Sequence, residues 1–225
     1  MGKTCAEYRA LAWNSLKGKY WYAFGMCILV SIITGLLNGL ARLIMGGSGN
    51  PDDERSILAL VIIIAFELFV TIPLTIGLTR YFVLNSKGKP DINELVYPYK
   101  NNLMNIIGAG VKQVIFIYLW SLLFIIPGII KGFSYFMVNY IMAENPYITS
   151  KRAFEISKKA MYGYKGKAFL LGLSFIGWIL LSILTFGIGL LFLEPYMSAA
   201  SAELYLDIKE SAFERGIILD GELPR

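Results

Sequence analysis

The chain has 225 residues, of which 56% are hydrophobic and only 16% charged, and its mean hydropathy is +0.58. Soluble domains contain about a quarter charged residues, so this composition argues against a soluble protein. The net charge is +5, but membrane proteins collect basic residues at cytoplasmic loops and beside anionic headgroups. Nucleic acid is therefore not an expected partner.

In chain order, a lead-in segment at 4–18 is followed by apolar blocks at 20–45, 56–84, 103–142 and 168–206. A membrane helix needs about 20 residues to cross about 30 Å of hydrocarbon, and the last two blocks are twice that long. Each has a break near its middle, at Pro127-Gly128 in the third block and at 185–189 in the fourth. We predict that the chain turns round at both breaks. The six resulting spans lie at about 20–45, 56–84, 103–126, 129–143, 168–186 and 188–206.

The distribution of basic residues tests this count. With six spans and cytoplasmic N- and C-termini, most of the 21 lysine and arginine residues fall on the cytoplasmic side, as the positive-inside rule requires. With four spans, the most basic loop would face outward, so the rule rejects four. The short segment 129–143 leaves open whether every span is a full crossing or some are re-entrant. The most basic loop contains Lys151, Arg152, Lys158, Lys159, Lys165 and Lys167.

The six spans group into three helical hairpins, each preceded by a lead-in segment. The third lead-in, 149–162, has Ala153, Ile156 and Ala160 on one face and basic residues on the others, which is typical of an amphipathic helix on the inner membrane surface. Thr149 or Ser150 is its expected N-cap. The prediction is an all-α, polytopic membrane protein with one membrane domain over 1–225. A cytoplasmic tail is predicted at 207–225, and its last part, 214–225, is expected to be exposed.

Charged residues inside membrane spans are costly and are the first place to look for function. Glu67 and Lys112 lie at similar depth in adjacent spans. Three interpretations are open: a structural ion pair, a coupling site for protons or a charged substrate, or side chains of which one or both extend to the membrane surface or face water. Lys131 and Glu194, each a few residues from an outer turn, are a second candidate intramembrane polar site. A helix kink at Pro195 is the alternative interpretation of the Glu194 region.

Motifs for enzymatic chemistry are missing from the sequence. Histidine is absent, and there is no G-x-S-x-G, H-E-x-x-H or P-loop pattern. Cys5 and Cys27 lie far apart along the chain, at different expected depths. We therefore expect no catalytic residues, no metal, no disulfide and no cofactor.

Several sequence elements together carry a resemblance to a known family. They are "YRALAWNSLKGKYW" near the start, "PGI" after Ile126, "LSFIGW" within the fifth span and "GIG" followed by "PY" in the sixth. With these elements the chain resembles the bacterial integral membrane family catalogued as domain of unknown function 975. The resemblance implies a multi-pass protein of the bacterial cytoplasmic membrane. It implies no activity and no functional residues.

The leading hypothesis for function is a non-enzymatic membrane module that binds lipid, a peptide or a partner protein in export or envelope homeostasis. The basic loop after the fourth span would dock on anionic lipid or on a cytoplasmic partner. The hypothesis also includes a protein partner or a second copy of the chain as the molecule that is bound. The alternative is a small transporter or channel that uses Glu67 and Lys112.

Overall fold

A computed structural model describes residues 3–45 and 54–224. Most of the loop predicted between the first two spans lies outside these ranges. Within them the chain is helical and contains no strand, and one isolated bridge joins Asp220 and Leu223. The α-helices are α1 Cys5–Leu16, α2 Tyr20–Met45, α3 Glu54–Phe66, α4 Ile72–Ser86, α5 Tyr97–Lys100, α6 Leu103–Leu123, α7 Ile125–Ser134, α8 Val138–Glu144, α9 Ser150–Ala160, α10 Lys165–Leu173, α11 Ile176–Leu184 and α12 Ile188–Glu214; a π-helical turn, Glu67–Thr71, joins α3 to α4, and a 3₁₀ turn, Ile92–Leu95, precedes α5.

Several of these helices are long and apolar enough to cross a membrane. Among the described residues, four stretches meet that requirement, and a fifth does so if α1 and the first part of α2, which meet at 96°, count as one bent span. The protein is thus helical and has the apolar helices of a membrane protein. The four stretches are Leu60–Ser86, Leu103–Leu123, Ile125–Glu144 and Lys165–Leu184.

The chain turns between α6 and α7 at Phe124, whose backbone is extended at φ −158° and ψ 143°. The turn therefore lies three residues before the predicted position at Pro127-Gly128. Pro127 instead falls in the first turn of α7, where a missing N–H costs nothing. A Cβ on Gly128 would lie 2.8 Å from the Cα of Ser121, so the glycine allows the two helices to pack closely.

The second break also interrupts the helix within the predicted 185–189. Helix α11 ends at Leu184, and α12 begins at Ile188. Gly187 has φ 85°, a left-handed conformation that glycine adopts without steric cost. A Cβ on Gly189 would lie 2.9 Å from the Cα of Ser182. The same serine-to-glycine spacing as in Ser121 and Gly128 therefore brings α11 and α12 together.

The buried core lies away from these two turns. Tyr81 of α4, Met142 of α8 and Tyr205 of α12 are almost completely buried. By contrast, Phe124 and Phe186 at the turns are exposed, as are most of their apolar neighbours. Extensive exposed apolar surface marks a membrane or partner interface. The molecule thus has a packed end and an end of exposed apolar helices.

Helix α9 matches the predicted third lead-in helix in extent. Thr149 is its N-cap, and the Thr149 hydroxyl accepts a hydrogen bond from the backbone N–H of Arg152 at 3.3 Å. The apolar face of α9, including Ala153, Ile156 and Ala160, is fully buried against the protein. Only the basic side of α9 is therefore available to contact a membrane surface.

The tail differs from the prediction. Helix α12 continues to Glu214, eight residues beyond the predicted end of the sixth span, and the following segment packs on the core through Ile218 and Leu223, which are both buried. Most described residues of 214–224 are exposed, as expected, but the burial of Ile218 and Leu223 was not predicted. The reason is that two apolar side chains in a short polar segment are enough to anchor it when a core surface is available.

Candidate functional site

Glu67 and Lys112 are not brought into contact. Glu67 begins the π-helical turn Glu67–Thr71 and is half-buried, and Lys112 is exposed on α6. Among the described residues, no ion pair includes either side chain. A role for this pair in transport stays a prediction.

Lys131 and Glu194 are also separate. The Lys131 ammonium lies 4.4 Å from the ring centroid of Trp120, a distance at which a cation and an aromatic face attract each other. Glu194 is exposed and accepts a hydrogen bond from the Ser198 hydroxyl at 3.2 Å. Pro195 lies inside α12. Each charge therefore has its own local partner.

Five lysines of the predicted basic loop present charge at the surface. Lys151, Lys158 and Lys159 are exposed, and Lys165 and Lys167 are half-buried. Lys159 pairs with Glu155 at 2.7 Å within α9. We call these five lysines the basic face.

Arg152, by contrast, binds the end of the chain. It donates to both carboxylate oxygens of Glu222, from Nε at 2.7 Å and from Nη2 at 3.0 Å, and to the carbonyl of Ile217 at 2.9 Å. Asn145 donates to the Glu222 carbonyl at 2.9 Å. The Arg152 guanidinium lowers the pKa of the Glu222 carboxyl, as expected for a bidentate pair. We call this arrangement the tail clamp.

A buried ionic cluster, which the sequence did not reveal, centres on Glu144 at the end of α8. Its carboxylate accepts hydrogen bonds from Lys209 at 2.5 Å, Tyr205 at 2.6 Å and Lys87 at 3.0 Å. The side chains of Glu144 and Lys209 are each only 4% exposed. Burial lowers the pKa of Lys209, and the Glu144 carboxylate opposes that shift. The cluster thus joins the ends of α4, α8 and α12.

A cavity of about 520 Å³ adjoins this cluster. Lys87 and Lys209 line it, but so do Glu210 and Glu214. Lysines and carboxylates in equal number give no charge preference for a ligand. Because the buried Lys209 is already paired, we interpret the cluster as a structural link between helices. The only sequence signal for it was a charge near the C-terminal end of each of these three helices.

A second, more apolar groove of about 600 Å³ lies between α1, α2, α11 and α12. The Trp13 and Tyr196 rings meet edge to face, with centroids 6.3 Å apart. The Tyr20 hydroxyl donates to the Phe192 carbonyl at 2.7 Å and so fixes the start of α2 to α12. We call this the aromatic groove; among its lining residues are Trp13, Tyr20, Trp178, Leu181, Phe192 and Tyr196.

The hydroxyl groups in the wall of the aromatic groove form hydrogen bonds within the protein. The Ser182 hydroxyl donates to the Trp178 carbonyl at 2.8 Å. The Thr185 hydroxyl donates to the Ser182 carbonyl at 2.8 Å and accepts from the Gly189 N–H at 2.9 Å. The groove therefore presents a mainly apolar surface. Sequence analysis missed it because its walls come from helices far apart in the chain.

Comparison with known proteins gives one match. The family model described as "Protein of unknown function (DUF975)" matches residues 52–212, which is well over half of the chain. No curated protein and no solved structure matches. The resemblance seen in the sequence is confirmed: the chain belongs to the DUF975 family.

Proposed function

We propose that this protein is a non-enzymatic, multi-pass module of the bacterial cytoplasmic membrane that binds anionic lipid and acts in export or envelope homeostasis. Its six membrane segments form three hairpins, and both termini lie in the cytoplasm. The observation that carries the proposal is that three lysines of the basic face, Lys151, Lys158 and Lys159, stay exposed on α9, whose apolar side is buried in the protein.

The charge distribution supports this orientation. The exposed apolar turns lie away from the core, and the basic face lies where the positive-inside rule puts cytoplasmic residues. Each lysine near an anionic surface contributes about 1 kcal/mol of attraction within a Debye length. Lys151, Lys158 and Lys159 are the most exposed members of the face. They are therefore expected to enrich anionic lipid around the protein.

Lipid enrichment tests the proposal. The protein is placed in bilayer discs of mixed phosphatidylcholine and phosphatidylglycerol, and the lipids that remain bound are counted by native mass spectrometry. The wild type is expected to enrich phosphatidylglycerol. Replacing Lys151, Lys158 and Lys159 together by Gln is expected to reduce the enrichment at least about tenfold, since three charges at about 1 kcal/mol each exceed the 1.4 kcal/mol of a tenfold change.

The matched control replaces the same three lysines by Arg, which keeps the charge. Its enrichment is expected to equal that of the wild type and to fall as salt is raised. If the Gln variant enriches phosphatidylglycerol as well as the Arg variant does, the basic face is not a lipid site.

A second candidate function, a small transporter or channel, is supported by the π-helical turn that Glu67 begins. Such turns are rare in proteins, and those that occur are often found at functional sites. In protein-loaded vesicles, Glu67→Gln is expected to abolish proton or ion flux without a loss of thermal stability. Glu210→Gln, at an exposed carboxylate outside the predicted spans, is the control. Absence of flux in the wild type, or equal flux in both variants, removes this candidate.

A further inference from the structure

We propose that the aromatic groove binds one acyl chain of an anionic phospholipid and that Arg9 and Lys17 contact its phosphate. The inference rests on the proposed lipid-binding function and deepens it by naming a site and a ligand. It concerns a different surface from the basic face, so the two can fail separately.

The size and the walls of the aromatic groove suit hydrocarbon. Its volume of about 600 Å³ falls within the roughly 300–1,000 Å³ of small-molecule sites. The hydroxyls of Ser182 and Thr185 are already bonded to the backbone, so the wall offers little to a polar ligand. An extended peptide would leave its own N–H and C=O groups unpaired there, at a cost of several kcal/mol each. An acyl chain has no such groups.

The groove opens on the surface that would face lipid. Leu181 lines it and is 56% exposed, and the neighbouring Leu180 is 59% exposed without lining it. Trp178 and Leu184, on the same helix, are exposed as well. A lipid tail can therefore enter sideways from the bilayer, with no passage through the core.

Basic residues flank the aromatic wall of the groove on α1. Arg9, Trp13 and Lys17 are spaced four residues apart, so they follow one face of the helix and its C-cap. The Tyr196 hydroxyl donates to the Arg9 carbonyl at 3.3 Å, and the Arg9 guanidinium donates to the Ser174 carbonyl at 3.5 Å. A guanidinium has five N–H donors. Those that remain, together with the exposed Lys17, suit a phosphate whose tail lies against Trp13.

The test uses protein extracted with its native lipid by an amphipathic polymer and analysed by native mass spectrometry. The wild type is expected to retain a phospholipid at one per chain under conditions that strip the other lipids. Leu181→Trp fills the groove and is expected to lower the retained fraction about tenfold. Leu180→Trp adds the same bulk on the same helix but outside the groove, and it is expected to match the wild type. Thermal unfolding of both variants checks that the fold is kept.

The headgroup is tested separately. Replacing Arg9 and Lys17 by Gln is expected to remove the preference for anionic over zwitterionic phospholipid, while replacing Arg9 by Lys with Lys17 intact keeps most of it. Equal retention in Leu181→Trp and Leu180→Trp overturns the proposal. So does a retained fatty acid or detergent in place of a phospholipid, or a second copy of the chain on this surface. Leu181→Trp is expected to keep the enrichment of phosphatidylglycerol by the basic face. Loss of that enrichment in Leu181→Trp would count against the proposed function rather than against the groove.

Discussion

At the scale of single residues, the Glu144 carboxylate joins three helices through one side chain. It accepts hydrogen bonds from Lys87, Tyr205 and Lys209. A buried ion pair adds little net stability compared with a well-packed apolar pair, because both charges lose their hydration. Removing one partner is different, since it leaves the other charge buried and unpaired. The cluster therefore specifies how the helix ends meet more than it stabilises them.

This distinction predicts a non-additive result. Glu144→Gln is expected to lower the free energy of unfolding by about 3–5 kcal/mol, because Lys209 stays buried without a counter-charge. The double variant with Lys209→Met is expected to recover most of that loss. Chemical denaturation in a fixed detergent or lipid measures both.

Glu210→Gln is the control for this experiment. Glu210 is exposed in the next helical position after Lys209, so the change is expected to stay within about 0.5 kcal/mol. A double variant as unstable as the single one would show that Glu144 acts through contacts other than Lys209.

At the scale of elements, two hairpin turns have the same close contact between a serine and a glycine. Ser121 and Gly128 flank the first turn, and Ser182 and Gly189 flank the second. In both, the glycine faces the backbone of the serine seven positions earlier. Small residues let membrane helices approach closely when there is no hydrophobic driving force between them. The turn can then be short.

Glycine replacements test whether this close packing stabilises the protein. Gly189→Ala is expected to destabilise the protein by about 1–3 kcal/mol, because its Cβ would meet the Ser182 backbone. Gly177→Ala, on the same hairpin with nothing within 4 Å of the added Cβ, is expected to be neutral or to stabilise by up to about 1 kcal/mol through helix propensity. Thermal unfolding compares the two. Equal effects would mean that close packing at the turn does not matter.

At the scale of the whole molecule, the sequence was informative about where helices begin and end and much less about what surrounds them. Apolar runs and their breaks predicted the helical content and the break between α11 and α12, because hydrophobic length and Gly or Pro act locally. They did not predict the interruptions between α7 and α8 and between α10 and α11. Depth in a straight helix suggested that Glu67 and Lys112 would meet. Depth does not fix the rotation of a helix about its axis, and the two side chains form no ion pair.

The same limit applies to surfaces. Periodicity identified the apolar face of α9, but it could not distinguish burial by protein from burial by lipid. The aromatic groove depends on the 96° angle between α1 and α2, which no local pattern encodes. Arg152 was grouped with the lipid-facing lysines because its partner, Glu222, lies 70 positions away.

The tail clamp also sets an order of events during synthesis. Arg152 and Asn145 leave the ribosome long before Glu222, which lies 70 and 77 positions later. At about 5–20 residues per second, Arg152 waits roughly 4–14 s for its partner. Throughout that interval the region around α8 and α9 lacks its hydrogen bonds to Glu222, while α10 to α12 are still being translated and inserted. Closure of the clamp therefore follows the arrival of α10 to α12, and a nascent chain stalled before that point would leave Arg152 with only its helical neighbour Glu155 as a partner.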